Sequence, residues 1–261
     1  MPAHRPRKRF GQHFLHDPAV IARIVRSIAP AEDEHLVEIG PGHGALTRAL
    51  LEAGARLDVI ELDRDLIPLL ETLAPPPRLR IHQADVLQFD FTTLDSRGGL
   101  RVAGNLPYNI STPLLFHLLD SARCIRDMHF MLQKEVVERL AAAPGGRAYG
   151  RLSVMIQYRC RVSDLFHIGR GAFTPPPRVE SAFVRLVPHP VPPHPASDEA
   201  LFARVVRQAF SRRRKTLRNA LQGLADEEHI ADAGLDPRRR PETLAVAEFV
   251  ALCNHLSAAA D

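Results

Sequence analysis

The sequence predicts an α/β fold, an open doubly wound sheet of the nucleotide-binding kind followed by a small α-helical domain. Three observations predict it. From residue 35 onward short apolar runs alternate with amphipathic segments, the pattern of βαβ units. The first run ends in Gly40-Pro41-Gly42-His43-Gly44, and the second ends in an acid, Glu61, about 20 residues after the first glycine. A stretch Pro188-His189-Pro190-Val191-Pro192-Pro193-His194-Pro195 then shifts the composition, and the chain beyond it is helical in pattern. The boundary is drawn there: residues 1–189 form the sheet domain, with a basic arm at 1–16, and residues 190–261 form the helical domain.

In order, Phe10-Gly11-Gln12-His13-Phe14-Leu15 has no periodicity, and is either a cover over a ligand or a packed entry segment. Asp17-Pro18 supplies an N-cap and a proline at the first helical position, and Ile21, Ile24, Val25 and Ile28 repeat at helical spacing. His35 to Ile39 is a buried strand, and the glycine turn leads into a helix from Ala45 to Ala53, stopped by Gly54. Leu57 to Ile60 is a second strand, ending at Glu61, where an acid is expected to hold ribose hydroxyls. The glycine spacing, Gly-x-Gly-x-Gly, differs from the dinucleotide pattern and favours a nucleoside cofactor without a pyrophosphate. Leu79 to His82 is a third strand, and Asp85 beyond it is placed to accept from an adenine amine. Leu100 to Ala103 is a fourth. Pro113 to Leu119 is a helix, Met128 to Leu132 a fifth strand, and Lys134 to Ala142 and Arg151 to Arg159 are helices. Phe166 to Ile168 and Ala182 to Val187 are two further strands, joined by the stiff segment Phe173-Thr174-Pro175-Pro176-Pro177. The Phe173 ring is then either core or a wall presented to a ligand. In the last domain Leu201, Val205 and Ala209 share one helical face and Arg204 and Arg207 another, and Leu244, Val246, Phe249, Val250 and Leu252 mark a closing helix.

The fourth strand stops at Gly104-Asn105-Leu106-Pro107-Tyr108-Asn109, which puts an amide, a backbone carbonyl and a ring at the carboxyl edge of the sheet, where ligands bind in such folds. That set suits attack by an exocyclic amine of a nucleobase, a poor nucleophile because its lone pair is delocalised into the ring. The Asn105 oxygen and the Leu106 carbonyl could accept the two amine hydrogens, and Tyr108 could stack on the base, a contact worth roughly 1–3 kcal/mol.

The 261 residues are 45% hydrophobic and 25% charged, which fits a globular chain with one large core and a small appendage. No apolar run has the length of a membrane span, and the basic amino terminus lacks the apolar core of a signal peptide. Three well-separated cysteines, Cys124, Cys160 and Cys253, suit a reducing compartment and no zinc spacing, so the expected location is the cytoplasm. The net charge of +4 is clustered in Arg5, Arg7, Lys8 and Arg9, in Arg212 to Lys215 with Arg218, and in Arg238 to Arg240. Such clustering favours a polyanionic partner.

On Arg9-Phe10-Gly11-Gln12-His13-Phe14-Leu15, Glu38-Ile39-Gly40-Pro41-Gly42, Val59-Ile60-Glu61-Leu62-Asp63, Gly104-Asn105-Leu106-Pro107-Tyr108-Asn109-Ile110-Ser111, Leu132-Gln133-Lys134-Glu135 and Phe173-Thr174-Pro175-Pro176-Pro177, the chain resembles the ribosomal RNA adenine dimethyltransferases, nearest to their bacterial small-subunit branch. The resemblance runs nearly end to end. The glycine motif is common to many methyltransferases, whereas the Asn-Leu-Pro-Tyr and Phe-Thr-Pro-Pro-Pro pair is narrow. The resemblance implies a Rossmann-like class I methyltransferase sheet of seven strands, the last antiparallel, with S-adenosylmethionine as donor and no metal. It implies transfer to N6 of two adjacent adenosines near the 3′ end of small-subunit rRNA, by a cytoplasmic monomer whose partners are the small ribosomal subunit and its RNA, with a role in that subunit's biogenesis. Carried over by position, the cofactor would meet His13, Leu15, Gly40, Gly42, Glu61, Asp85 and Asn105, and the base would meet Asn105, Leu106, Pro107, Tyr108 and Phe173. This chain has His13 where many relatives have Asn, which makes a contact to the methionine carboxylate pH-sensitive. Two other classes share these features: a methyltransferase acting on large-subunit RNA or DNA, and an assembly factor with a dispensable active site.

Overall fold

The computed structural model describes residues 12–94, 99–212 and 214–259; the arginines and Lys8 of the basic arm, Phe10, Gly11 and Arg213 lie outside the described residues. A two-residue strand β1 (Phe14–Leu15) precedes helix α1 (Pro18–Ile28). The Asp17 carboxylate starts α1 by accepting the backbone N–H of Ala19 at 2.8 Å and of Val20 at 3.1 Å, and Pro18 stands where no N–H is needed.

The alternation then runs β2 (His35–Ile39), α2 (Ala45–Glu52), β3 (Arg56–Glu61), α3 (Ile67–Glu71), β4 (Leu79–Gln83), β5 (Leu100–Asn105), α4 (Ser111–Asp120) and β6 (Ile125–Gln133). These five strands pair in parallel in the order β4-β3-β2-β5-β6. After α5 (Lys134–Ala141), α6 (Arg151–Arg159), β7 (Cys160–Ile168) and β8 (Phe173–Thr174), the strand β9 (Ser181–Pro188) enters antiparallel to β6, and β7 closes the edge of the seven-stranded sheet. Strand order reverses between β2 and β5, which opens a crevice above their carboxyl ends.

The parallel strands are covered on both faces, and this explains their continuous apolar runs. Buried charges break the pattern toward the amino-terminal ends, Asp58 on β3, Arg101 on β5 and Asp127 on β6. Arg101 donates to Asp127 at 2.9 Å, to Glu34 at 2.7 Å and to the Ile28 carbonyl at 2.7 Å, so its burial is matched by partners. β1 pairs antiparallel with β8, Phe14 opposite Thr174 and Leu15 opposite Phe173, as a ribbon separate from the main sheet.

Two compact units emerge, one ending at Val137 and resuming over Ser163–Pro188, the other made of Glu138–Val162 and His189–Asp261. Sequence reading starts the second unit at residue 190; the structure adds the excursion through α6. The reason is apolar burial: Tyr149, Val154 and Tyr158 share a core with Leu201, Phe202 and Val205 of α7 (Glu199–Ser211) and with Phe249 of the last helix. Helices α8 (Leu217–Ala220), α9 (Glu227–Asp232) and α10 (Val246–Ala258) complete that unit. Among the described residues no helix is long and apolar enough to cross a membrane.

β7 is longer than the segment Phe166 to Ile168 expected from sequence. It lies at the sheet edge, where the polar residues Arg161, Ser163 and Asp164 are tolerated and blur the alternation.

Candidate active site

A cavity of about 270 Å³ opens at the carboxyl edge of β2, β3, β4 and β5, the scale of a small-molecule site. Its walls come from the glycine turn, the Glu61-Leu62 end of β3, Ala84 to Leu87 after β4, the segment Asn105 to Ile110 after β5, and Gln12 to Leu15. The expected residues His13, Leu15, Gly40, Gly42, Glu61, Asp85, Asn105, Leu106, Pro107 and Tyr108 are all brought together here.

The glycine turn is built on positive φ at Gly40 (65°), Gly42 (58°) and Gly44 (76°), a conformation strained for other residues. At Gly42 a Cβ would sit 2.9 Å from the Phe14 ring, so the missing side chain admits the entry segment. Phe14 then lies against His43, ring centroids 4.0 Å apart. The entry segment is therefore a cavity wall.

Glu61 is buried and held at both oxygens. Oε1 accepts the Asp63 N–H at 2.8 Å and Oε2 the Gly42 N–H at 3.3 Å. Burial pushes its pKa up; the N–H groups of Asp63 and Gly42 oppose that, while the neighbouring Asp63 charge adds to it. Asp85 caps a single helical turn, its Oδ1 accepting from Leu87 N–H at 3.0 Å, which fixes the carboxylate against the cavity.

The Asn105 carboxamide can be oriented without ambiguity. Its Nδ2 lies 2.7 Å from the His13 backbone oxygen, which can only accept, so that atom is the nitrogen and Oδ1 is the acceptor left for a guest. Gly104, just before it, sits where a Cβ would be 2.4 Å from the Ile39 carbonyl, so glycine alone lets β5 bring Asn105 this close to β2. The Leu106 N–H donates to Met131 O at 3.2 Å and the Ile110 N–H to Pro107 O at 3.2 Å, which ties the loop to β6 and closes its turn. The Tyr108 hydroxyl is 2.6 Å from Ser181 Oγ, and burial raises its pKa. Ser111 Oγ donates to the Tyr108 carbonyl at 3.1 Å.

His13 has a defined tautomer. Nδ1 is 2.7 Å from the Pro175 carbonyl, so Nδ1 carries the proton, and in the neutral ring Nε2 is an acceptor. His13 thus ties the cavity wall to the proline segment and can donate from Nε2 only as imidazolium.

Phe173 is placed elsewhere. It does not line the cavity; it is 2% exposed and shares the sheet core with Leu15, Met131, Phe166 and Phe183. The correction follows from strand geometry: period-two alternation in β8 turns Phe173 inward and leaves Thr174 exposed.

Among the wall residues without a role in the sequence reading, Leu62, Gln12 and Glu38 bear on the chemistry. Leu62, beside Glu61, lines the cavity and is 50% exposed, a large apolar side chain left uncovered at a strand end. Gln12 donates to Asp63 at 3.1 Å, a long-range contact with no sequence signature. Glu38, an acid inside an apolar strand, is 2% exposed; burial raises its pKa to about 7, the Thr47 hydroxyl opposing this and the Glu61 charge adding to it.

The amide-carbonyl-ring loop, the strand-end acid and the acid after β4 in one crevice suit a nucleoside-bearing donor and a planar amine acceptor. The chain is 61% identical over 256 residues to a ribosomal RNA small subunit methyltransferase A of Pseudomonas fluorescens, covering 97% of this chain and 95% of that protein. It is 62% identical over 256 residues to the protein of that name from Pseudomonas aeruginosa, covering 97% and 96%. The crystal structure of a dimethyladenosine transferase from Plasmodium falciparum shares the fold, with TM-score 0.79 and 24% identity over 92% of this chain and 96% of that one. The family model for ribosomal RNA adenine dimethylase matches residues 3–257, and the chain belongs to that family.

Proposed function

We propose that this chain transfers methyl groups from S-adenosylmethionine to N6 of two adjacent adenosines near the 3′ end of small-subunit rRNA, giving dimethyladenosines as that subunit is assembled. The observation that carries the reading is the Asn105 carboxamide: its nitrogen is committed to the His13 carbonyl, and its oxygen is left for an amine beside the Tyr108 ring. The names of the relatives support the choice of RNA.

The residues present fit the donor. A sulfonium nucleoside is cationic, and the cavity wall offers three acids, Glu38, Glu61 and Asp85, with Glu38 Oε2 buried and lacking a hydrogen-bond partner among the described residues. Glu61, pinned by the Gly42 and Asp63 N–H groups, would accept ribose hydroxyls, and Asp85 would accept the adenine amine. Leu15, Gly40 and Gly42 would form the wall, and Leu62 would cover the purine. His13 would reach the carboxylate only when its ring is charged. When bound, the donor supplies an electrophilic methyl on a positively charged sulfur.

The chain's own contribution is orientation and electron density. Asn105 Oδ1 and the Leu106 carbonyl would accept the two N6 hydrogens, returning lone-pair density to nitrogen. The Tyr108 ring, tethered at its hydroxyl by Ser181, would stack on the base and hold N6 in line with the methyl. No protein nucleophile is needed. Phe173 acts in this reading through the β1–β8 ribbon and the core, supporting the wall.

Purified protein with isotopically labelled donor tests the reading against three acceptors at one salt concentration: immature small subunits, naked small-subunit RNA and large-subunit RNA. Label confined to adenosines of the immature subunits is expected. Equal label in large-subunit RNA would reject the assignment.

A further inference from the structure

Glu38 is counted above among the acids of the cavity wall, yet it has no specific contact in the reaction as described. It sits on β2, two residues before the glycine turn, between Val59 of β3 and Ala103 of β5, both buried and apolar. Thr47 of α2 lies beside it, yet neither Thr47 Oγ1 nor Glu38 Oε2 has a hydrogen-bond partner of full geometry among the described residues. A carboxylate in such surroundings is strongly disfavoured, so the acid takes up a proton. It lines the cavity all the same. The titratable groups that share the wall are Glu61 at the end of β3, Asp85 after β4, His43 in the glycine turn, His13 before β1 and Tyr108 after β5. Of these, Glu61 bears on Glu38 as a charge and reinforces its neutral form.

A buried acid with one unpartnered oxygen, in the wall of a site for a cation, points to a use. We propose that Glu38 is a proton-coupled charge partner for the donor, protonated in part of the free molecules at neutral pH and ionised when the sulfonium nucleoside is seated, and that it thereby makes the site prefer the donor over its thioether product. The inference rests on the donor reading above. On binding, the O–H bond of the Glu38 acid breaks, the proton goes to solvent, and the carboxylate remains facing the cationic guest. On methyl transfer the sulfur–carbon bond breaks with its electron pair left on sulfur, a nitrogen–carbon bond forms, the positive charge passes to the amine and leaves as its N–H proton goes to solvent, and the sulfur is a neutral thioether. The carboxylate is then without its partner and takes a proton back, which weakens the hold on the product. Glu38 is on this account a residue that sets specificity, distinct from the groups that touch the reacting amine.

The sign of the pH dependence follows. Because the donor selects the ionised form of a group that titrates near neutrality, donor affinity rises as pH goes from 6 to 8, and product affinity does not. A variant that removes only Glu38 isolates its part in this dependence.

Calorimetric titration of the protein with S-adenosylmethionine and with S-adenosylhomocysteine, in buffers of different ionisation enthalpy, reads the protons directly. With a free-protein pKa of about 7, donor binding at pH 7 should release about half a proton, and product binding close to none. Glu38→Gln should abolish the release and lower the donor-to-product affinity ratio roughly ten-fold, the equivalent of a one-unit displacement of an ionisation. Glu38→Asp should restore the release at weaker affinity. Infrared difference spectra of the unmutated protein give a readout that needs no variant: the protonated carboxyl band should vanish with donor and persist with product. Equal proton release with both ligands, or a release unaltered in Glu38→Gln, would overturn the inference while leaving the donor reading intact. No binding of S-adenosylmethionine by the folded protein would overturn the donor reading itself.

Discussion

Replacing Phe173 by alanine separates two roles that this ring could play, and the structure commits to one of them. The ring is 2% exposed, in the core with Leu15, Met131, Phe166 and Phe183, and its backbone pairs with Leu15 across the two-residue ribbon. Removing a fully buried phenylalanine costs about 3–5 kcal/mol, through forfeited transfer energy and the cavity left behind. Phe173→Leu keeps most of the volume and should cost under about 1.5 kcal/mol. Urea denaturation gives the stability of each variant, and single-turnover methylation at low temperature gives the transfer rate of the folded fraction. The expected result is a large stability loss for alanine, a small one for leucine, and transfer in Phe173→Leu within a few-fold of the unmutated protein. If Phe173→Leu were as stable as the parent but transferred methyl a hundred-fold more slowly, the ring would be acting on the base and its placement in the core would be wrong.

Four further outcomes follow from the geometry. Tyr108→Phe and Ser181→Ala each break the same 2.6 Å hydrogen bond and should each slow transfer with little change in donor affinity; the double variant should be no worse than the poorer single one, and additive losses would separate the two residues. Glu61→Gln should weaken donor binding by roughly 1–3 kcal/mol, because it also sets an amide N–H against the Gly42 or Asp63 donors; calorimetry showing unchanged affinity in a folded variant would remove Glu61 from the site. His129 is buried and neutral, its pKa lowered to about 4 by loss of solvation, with the Asp127 charge opposing and those of Arg101 and Arg185 assisting. The unfolded chain takes up a proton that the folded chain refuses, so stability should fall by roughly 3 kcal/mol as pH drops from about 6.5 to about 4, and His129→Leu should flatten that fall. Replacing Arg212 and Arg214 by alanine should reduce the salt slope of RNA binding by about 0.7–0.9 for each phosphate no longer neutralised, whereas Arg239→Ala should chiefly destabilise, because Arg239 already meets Glu248 at 2.5 Å.

The parts of the fold legible in the sequence were those with a local physical signature. Asp17-Pro18 starts α1 as a capped helix should, and the apolar runs at 35–39 and 100–103 read as strands because both of their faces are covered. The glycine turn and Glu61 marked the crevice because positive φ and a strand-end acid are both written in residue type. Contacts made at long range carried no such signature. Nothing in His13 foretells its bond to Pro175, 162 residues away, and nothing in Asn105 reveals that its nitrogen is held by the His13 carbonyl. Phe173 was open between core and ligand because a single aromatic before a proline run has no neighbour to set its face; pairing with Leu15 sets it. The excursion through α6 joins the helical unit because Tyr149, Val154 and Tyr158 bury there, a choice that helical periodicity alone does not encode. Of the basic runs, Arg238 and Arg239 turn out to be partnered by Asp236 and Glu248, which local charge counting does not show.

The central claim is the product. Immature small subunits incubated with the protein and labelled donor, then digested and sequenced by mass spectrometry, should yield dimethyladenosine at two neighbouring positions near the 3′ end of the RNA, and Asn105→Ala should yield neither. Monomethylated product only, label on a base other than adenine, or full dimethylation by Asn105→Ala would contradict the account.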